Sequence, residues 1–206
     1  MNKLKKFSQF KFGIEPLWMK PAEKRLFKRT VAAARNYLEF GSGGSTFHVL
    51  TKTRAHITCI DNHPEWMSYM KKFCRFNRAV KSGRVQLLEI DNGPTRECGN
   101  PTDESRKESW PFYSGGVFAL KGINDTDTVL IDGRFRVACG LAAIKNLKKD
   151  TKILVHDFPD RPHYHKLLDY LDIVDSADQL VVFKIKDNIN MSQLDKDYEE
   201  YKYIFD

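Results

Sequence analysis

The run Tyr37-Leu38-Glu39-Phe40-Gly41-Ser42-Gly43-Gly44-Ser45-Thr46 limits the fold more than any other stretch, because it passes from an apolar strand through a glycine turn into a helix start. A second apolar strand, Ile57-Thr58-Cys59-Ile60, ends on Asp61, twenty residues after Gly41. A strand, glycine turn, helix and second strand ending in a carboxylate make up a nucleoside-binding α/β unit. Glycine lets backbone approach a ligand that a Cβ would hold off. Asp61 then stands where it can accept hydrogen bonds from both hydroxyls of a ribose. No Gly-Lys-Ser/Thr follows the glycines, which argues against a P-loop nucleotide. A dinucleotide site stays open, since Gly41-x-Gly43-x-x-Thr46 departs from that fingerprint only at its last position.

Helices and strands go on alternating after this unit. Pro21 opens a helix predicted through about Asn36, and Pro64 opens another in which Trp66, Met70 and Phe73 form an apolar stripe read as core. Strands are predicted at Val85–Ile90, Thr128–Ile131 and Lys152–His156, ending at Asp91, Asp132 and Asp157, with helices after Asp132 and over roughly 162–171. Ile173-Val174 and Leu180–Ile185 are too close in sequence to be joined by a crossover, so they form an antiparallel hairpin. The pattern predicts an α/β fold with a doubly wound, Rossmann-like, seven-stranded sheet, mostly parallel and closed by that hairpin. The ligand belongs at the strand C-terminal ends, where Glu39, Asp61, Asp91, Asp132 and Asp157 supply one carboxylate each.

With 206 residues the chain suits one domain, predicted over 21–186 between a basic arm (1–20) and an acidic, aromatic tail (187–206). Residues 1–36 hold ten Lys and Arg against Glu15 and Glu23, so they account for the net charge of +7. Such an arm can attract nucleic acid, an anionic glycan or an acidic membrane surface, though no zinc finger, helix-turn-helix or RNA motif supports nucleic acid. In the tail, Tyr198, Tyr201, Tyr203 and Phe205 are placed to dock it on the body. Cys59, Cys74, Cys98 and Cys139 form no CxxC pair and are read as reduced thiols. No apolar run is long enough to span a bilayer, and Met1–Lys6 lacks a following apolar stretch, so a cytoplasmic protein is expected. The stretch 91–127 exceeds a minimal connection and is read as a lid or acceptor-binding insertion, with its aromatics patching the core as the alternative.

The sequence resembles the class I S-adenosylmethionine-dependent methyltransferases over about residues 35–186. Their first motif, an acidic residue followed by Gly-x-Gly-Gly, is matched by Glu39, Gly41, Gly43 and Gly44, and their sheet ends in the same hairpin. Ile131-Asp132-Gly133-Arg134-Phe135-Arg136 and His156-Asp157 are similar to a group of small bacterial methyltransferase-like proteins of unassigned substrate. The resemblance implies S-adenosylmethionine as cofactor. Glu39 would help hold its methionine amino group, with Gly41, Ser42, Gly43 and Gly44 along the methionine and ribose. Asp61 would take the ribose hydroxyls, with Asn62 or His63 beside the adenine and Asp91 and Asn92 near the adenine amino group.

Methyl transfer from a sulfonium needs in-line placement of the acceptor and, for a hydroxyl or amine, removal of a proton. Asp132, His156 and Asp157 are the catalytic candidates. Asp132 and Asp157 resemble the metal-ligand carboxylates of catechol-type methyltransferases, and Mg2+ would suit oxygen ligands. The sequence offers no third ligand, however, and Arg134 stands where related sequences often carry His. Arg134 and Arg136 could bind an anionic acceptor, or pair with neighbouring carboxylates. Trp110 and Tyr113 could stack on a sugar. The leading expectation is methyl transfer to a small-molecule or glycan-type acceptor. Its rivals are a non-catalytic nucleoside-binding protein that uses its basic face for interaction, and an NAD or nucleotide-sugar enzyme.

Overall fold

The computed structural model describes residues 16–205, so most of the predicted basic arm lies outside the described residues. In chain order the elements are α1 (Pro21–Val31), β1 (Asn36–Phe40), α2 (Gly44–Lys52), β2 (His56–Asp61), α3 (Pro64–Lys71), α4 (Cys74–Lys81) and β3 (Val85–Glu89). A short ribbon of β4 (Thr95–Arg96) and β5 (Asn100–Pro101) leads to α5 (Trp110–Gly115), β6 (Thr128–Ile131), α6 (Arg136–Asn146) and β7 (Lys152–Val155). The hairpin β8 (Leu171–Ala177) and β9 (Leu180–Ile185) and the helix α7 (Met191–Tyr201) complete the chain. Apart from the ribbon, the strands form one seven-stranded sheet in the order β3-β2-β1-β6-β7-β9-β8. All run parallel except β9, which is antiparallel to β7 and β8. This is the expected doubly wound, Rossmann-like sheet with its closing hairpin.

The apolar, β-branched strands are covered on both faces. One core layer joins α1, α2 and α4 through Phe27, Phe47 and Phe76, and the other joins α5, α6 and α7 through Trp110, Leu141 and Leu194. The strand order reverses between β1 and β6, which opens a crevice above their C-terminal ends.

Several boundaries depart from the sequence reading. The first helix ends at Val31 rather than near Asn36, because the Asp127 carboxylate accepts the Arg35 and Asn36 backbone N–H groups at 2.9 and 3.2 Å and draws the chain into the sheet. The helix from Pro64 breaks at Phe73, whose extended backbone lets its ring pack edge-on against Phe47 and Tyr69. Residues Pro162–Asp169 form 3-10 turns instead of an α-helix. Within the long segment after β3, two aromatics settle into the core. Trp110 and Tyr113 are each 1% exposed and belong to the core, so the patching alternative describes them.

The tail folds as α7. Leu194 is fully buried, and Tyr198, Tyr201 and Phe205 pack on the core, whereas Tyr203 is exposed. Asp197 anchors the helix by accepting from Tyr170 Oη and from Lys166 Nζ at 2.8 Å. Leu194→Ala should lower the unfolding free energy by about 2–5 kcal/mol, seen as an earlier urea midpoint. A loss below about 0.5 kcal/mol would show that α7 is not part of the cooperative fold.

Candidate active site

The glycine turn is held by groups on three other elements. Gly41 has φ +92°, and a Cβ there would lie 2.6 Å from Gly133 Cα, so two strand ends meet backbone to backbone at the crevice. The Asp61 carboxylate clamps the turn, with Oδ2 accepting from Ser42 N at 3.0 Å and Ser42 Oγ at 2.8 Å. Its Oδ1 accepts from His63 N at 3.0 Å. Burial raises the Asp61 pKa against the lowering effect of these bonds. Trp66 Nε1 donates to Ser42 O at 2.8 Å, which holds the indole beside the turn. A Cβ on Gly43 would meet only Trp66, at 3.8 Å, an ordinary van der Waals distance, so the indole lies against the turn. On Gly44 a Cβ would fall 2.1 Å from Pro16 O, because the segment before α1 lies directly on the helix start.

Glu39 does not reach the cavity wall. It is fully buried and accepts from Ser45 Oγ and from Thr46 Oγ1 at 2.7 Å. Burial, with the nearby charges of Asp132 and Asp61, pushes its pKa up to about 8 despite those hydroxyls. Glu39 thus supports the turn from beneath through these two hydroxyls, behind the cavity wall.

Where β6 and β7 end, five ionisable side chains interlock, one of them, Glu23, reaching in from α1. His156 Nδ1 lies 3.1 Å from Asp132 Oδ1 and 3.4 Å from Asp157 Oδ1, while Nε2 faces Glu23 Oε2 at 3.5 Å. Burial alone would depress the His156 pKa. The bond to Asp132 and the charges of Asp132, Asp157 and Glu23 outweigh it and raise the pKa to about 9. The raised pKa favours the imidazolium, so His156 holds Asp132 by charge as well as by hydrogen bond. Asp132 is held below the usual carboxylate range: its burial is overcome by the His156 hydrogen bond and the Arg136 charge. Arg136 is 4% exposed and bridges Asp132 Oδ1 at 3.3 Å and Asp157 Oδ2 at 3.2 Å, so it takes the pairing role rather than receiving an anionic acceptor.

These groups line one cavity of about 820 Å³, within the usual range for small-ligand sites. Its wall brings together Gly41, Ser42, Gly43, Gly44, Asp61 and Asn62 with Asp132, Arg134, Arg136, His156 and Asp157. Tyr113 contributes only its hydroxyl end, which accepts from Arg134 N at 3.3 Å. Trp110 is in the core, with Nε1 on Asn92 O at 3.2 Å, and cannot stack on an acceptor. Asp91 is exposed beside Arg106, and Asn92 is fully buried; neither is in the wall.

The sequence reading missed several wall residues. Leu17, Trp18 and Met19 form one side, Trp66 another, and Arg96 and Arg161 stand near the charged cluster or the ribbon. Glu23 touches His156 from outside the predicted site. Only Trp66 had a local signal, as the aromatic at the top of its helix stripe; Glu23 meets a partner 133 residues away.

Among the described residues, Asp132, His156 and Asp157 are the one group able to gather ligand atoms within 4.8 Å of one another. Their arrangement does not fit Mg2+, because the Arg136 guanidinium already bridges both carboxylates and His156 binds Asp132 as a cation.

Among solved structures the chain is similar to a methyltransferase-like protein from Silicibacter pomeroyi DSS-3, with a TM-score of 0.77 and 25% identity over 93% of this chain and 98% of that one. It is also similar to a Klebsiella pneumoniae protein provisionally described as an O-methyltransferase, with a TM-score of 0.52 and 12% identity over 84% of each chain. No protein family and no curated protein matches the sequence. The resemblance to small methyltransferase-like proteins thus holds in three dimensions, and the chain has the class I methyltransferase fold.

Two measurements probe the site. His156 titrates near 6.5 when unfolded and about 9 when folded, so its pairing stabilises the fold fully below pH 6.5 and is lost as pH rises through 9. Over that interval the wild type should lose roughly 3 kcal/mol relative to His156→Gln in urea titrations; parallel profiles would mean that His156 is neutral. Gly44→Ala, by displacing Pro16, should speed proteolysis at the segment before α1, and an unchanged cleavage rate would contradict the close contact.

Proposed function

We propose that the protein transfers the methyl group of S-adenosylmethionine to a small-molecule or glycan-type acceptor. The observation that carries this reading is the turn Gly41–Gly44, fastened to Asp61 at the point where the strand order reverses and opening on a cavity that runs to Asp132. The residues present fit the cofactor. The Trp66 indole stands in the wall beside the turn, and the wall offers carboxylates at Asp61, Asp132 and Asp157, which favour a ligand with hydroxyl, ammonium and sulfonium groups. When bound, the cofactor supplies an electrophilic methyl on a positively charged sulfur.

The protein's own task is to orient and to take a proton. Asp61 Oδ1 accepts one backbone bond and keeps a lone pair for a ribose hydroxyl. Asp132 takes the acceptor's proton. Its low basicity is sufficient because a hydroxyl becomes acidic only as its oxygen gains the methyl group. His156 and Arg136 hold that carboxylate in place and keep it ionised beforehand. Arg96 and Arg161 on the wall favour an acceptor with an anionic group.

Calorimetric titration tests the cofactor. S-adenosylmethionine and S-adenosylhomocysteine should bind and NAD should not, and Asp61→Ala should weaken binding about 10- to 100-fold. Failure of both sulfur ligands to bind would end the proposal. With binding intact, Asp132→Asn should abolish methyl transfer to a competent acceptor; transfer at the wild-type rate would remove Asp132 from the chemistry.

A further inference from the structure

Three buried hydroxyls stand in the cavity wall, those of Ser42, Ser45 and Tyr113. Ser42 donates its proton to Asp61 at 2.8 Å, and Ser45 donates to Glu39. The Tyr113 oxygen accepts from Arg134 N at 3.3 Å, but among the described residues no group accepts the Tyr113 proton. Tyr113 is 1% exposed, and its ring is packed against Phe40 at 6.3 Å and Phe135 at 5.5 Å, so the hydroxyl is fixed where it stands. Gly133 makes room for it, since a Cβ there would fall 2.1 Å from Oη. Burial first, and then the charges of Asp61 and Cys139, raise its pKa well above the ordinary value, so the proton stays on the oxygen. A buried donor without an acceptor costs stability, and one that faces a ligand cavity is satisfied when a ligand brings a lone pair.

The position of the hydroxyl points to that lone pair. It lies where Gly41 meets Gly133, beyond the paired ends of β1 and β6. Asp61 ends β2 on one side of this contact, and Asp132 follows β6 on the other. With the ribose on Asp61 and the acceptor at Asp132, the part of the cofactor between them is its sulfur with the amino-acid arm. The carboxylate of that arm is the cofactor's anionic group, and the carboxylates of Asp61, Asp132 and Asp157 in the same wall repel it. We propose that Tyr113 Oη donates a hydrogen bond to this carboxylate and so fixes the arm that carries the sulfonium. The inference rests on the S-adenosylmethionine reading of the site and adds to it a ligand-binding residue from α5, outside the glycine turn and the strand ends.

Calorimetric titration of the wild type and Tyr113→Phe with S-adenosylhomocysteine and with methylthioadenosine, which keeps the nucleoside and the sulfur but lacks the amino-acid arm, tests it. The substitution should weaken S-adenosylhomocysteine about 10- to 100-fold and leave methylthioadenosine within about twofold. Equal weakening of both ligands would assign the hydroxyl to the nucleoside or to packing and overturn the proposal. If the wild type does not bind S-adenosylhomocysteine, the methyl-transfer reading falls and this inference with it; if the wild type and Tyr113→Phe bind it equally, only this inference falls. A crystal structure of the wild type with S-adenosylhomocysteine decides the matter if the variant does not fold. A carboxylate oxygen is expected about 2.5–3.0 Å from Tyr113 Oη, and a separation beyond about 4 Å would overturn the proposal.

Discussion

The Arg136 guanidinium, almost wholly removed from solvent, reaches the Gly133 and His156 carbonyls at 3.0 and 2.5 Å as well as the Asp132 and Asp157 carboxylates. It thereby ties the loop after β6 to the loop after β7. A buried cation is tolerated only where acceptors surround it, and here the acceptors are the groups that face the cavity. The two loops cannot shift independently without leaving that charge unpaired. The backbone shows the same constraint, since Phe135 and Asp157, one in each loop, adopt positive φ values of 54° and 58°. What the strand ends can do chemically follows from this charge. With Arg136 between the two carboxylates, Asp132 is held below the usual carboxylate range, and these neighbours raise His156 towards its cationic form.

The parts of the fold readable in the sequence are those governed by local periodicity. The strands and the turn at Gly41 follow from apolar runs and from residue types that few backbones other than a tight turn require. Boundaries set by distant partners were not readable. Asp127 shortens the first helix from 92 residues away, and Phe73 breaks the helix opened by Pro64 where its ring finds Phe47. At the site, the residue types at the strand ends were legible but their protonation was not. Glu39 and His156 both titrate far from their ordinary ranges because of burial and of neighbours brought together only by folding. Trp110 illustrates the converse: an aromatic in a long connection suggests a binding surface, yet Phe135 and Phe205 enclose it.

The glycines also carry a different load from the one their motif suggests. Gly41 is needed by Gly133 and Gly44 by Pro16, whereas at Gly43 a Cβ would come no closer than ordinary contact with the Trp66 ring. The motif is thus as much a packing device, joining two strand ends and seating the N-terminal segment, as a cradle. That segment forms a wall of the cavity, so the turn, the clamp at Asp61 and the approach from solvent share a single boundary.

Phe205, at the far end of the described chain, closes edge-on over Trp110 at 5.0 Å and over Phe135 at 6.3 Å. Phe135 begins the helix that carries Arg136. The ring that seals the aromatic layer beneath the loop bearing Asp132 and Arg136 thus comes from the segment after α7, so loosening that segment would open to water the layer on which the charged end of the cavity rests.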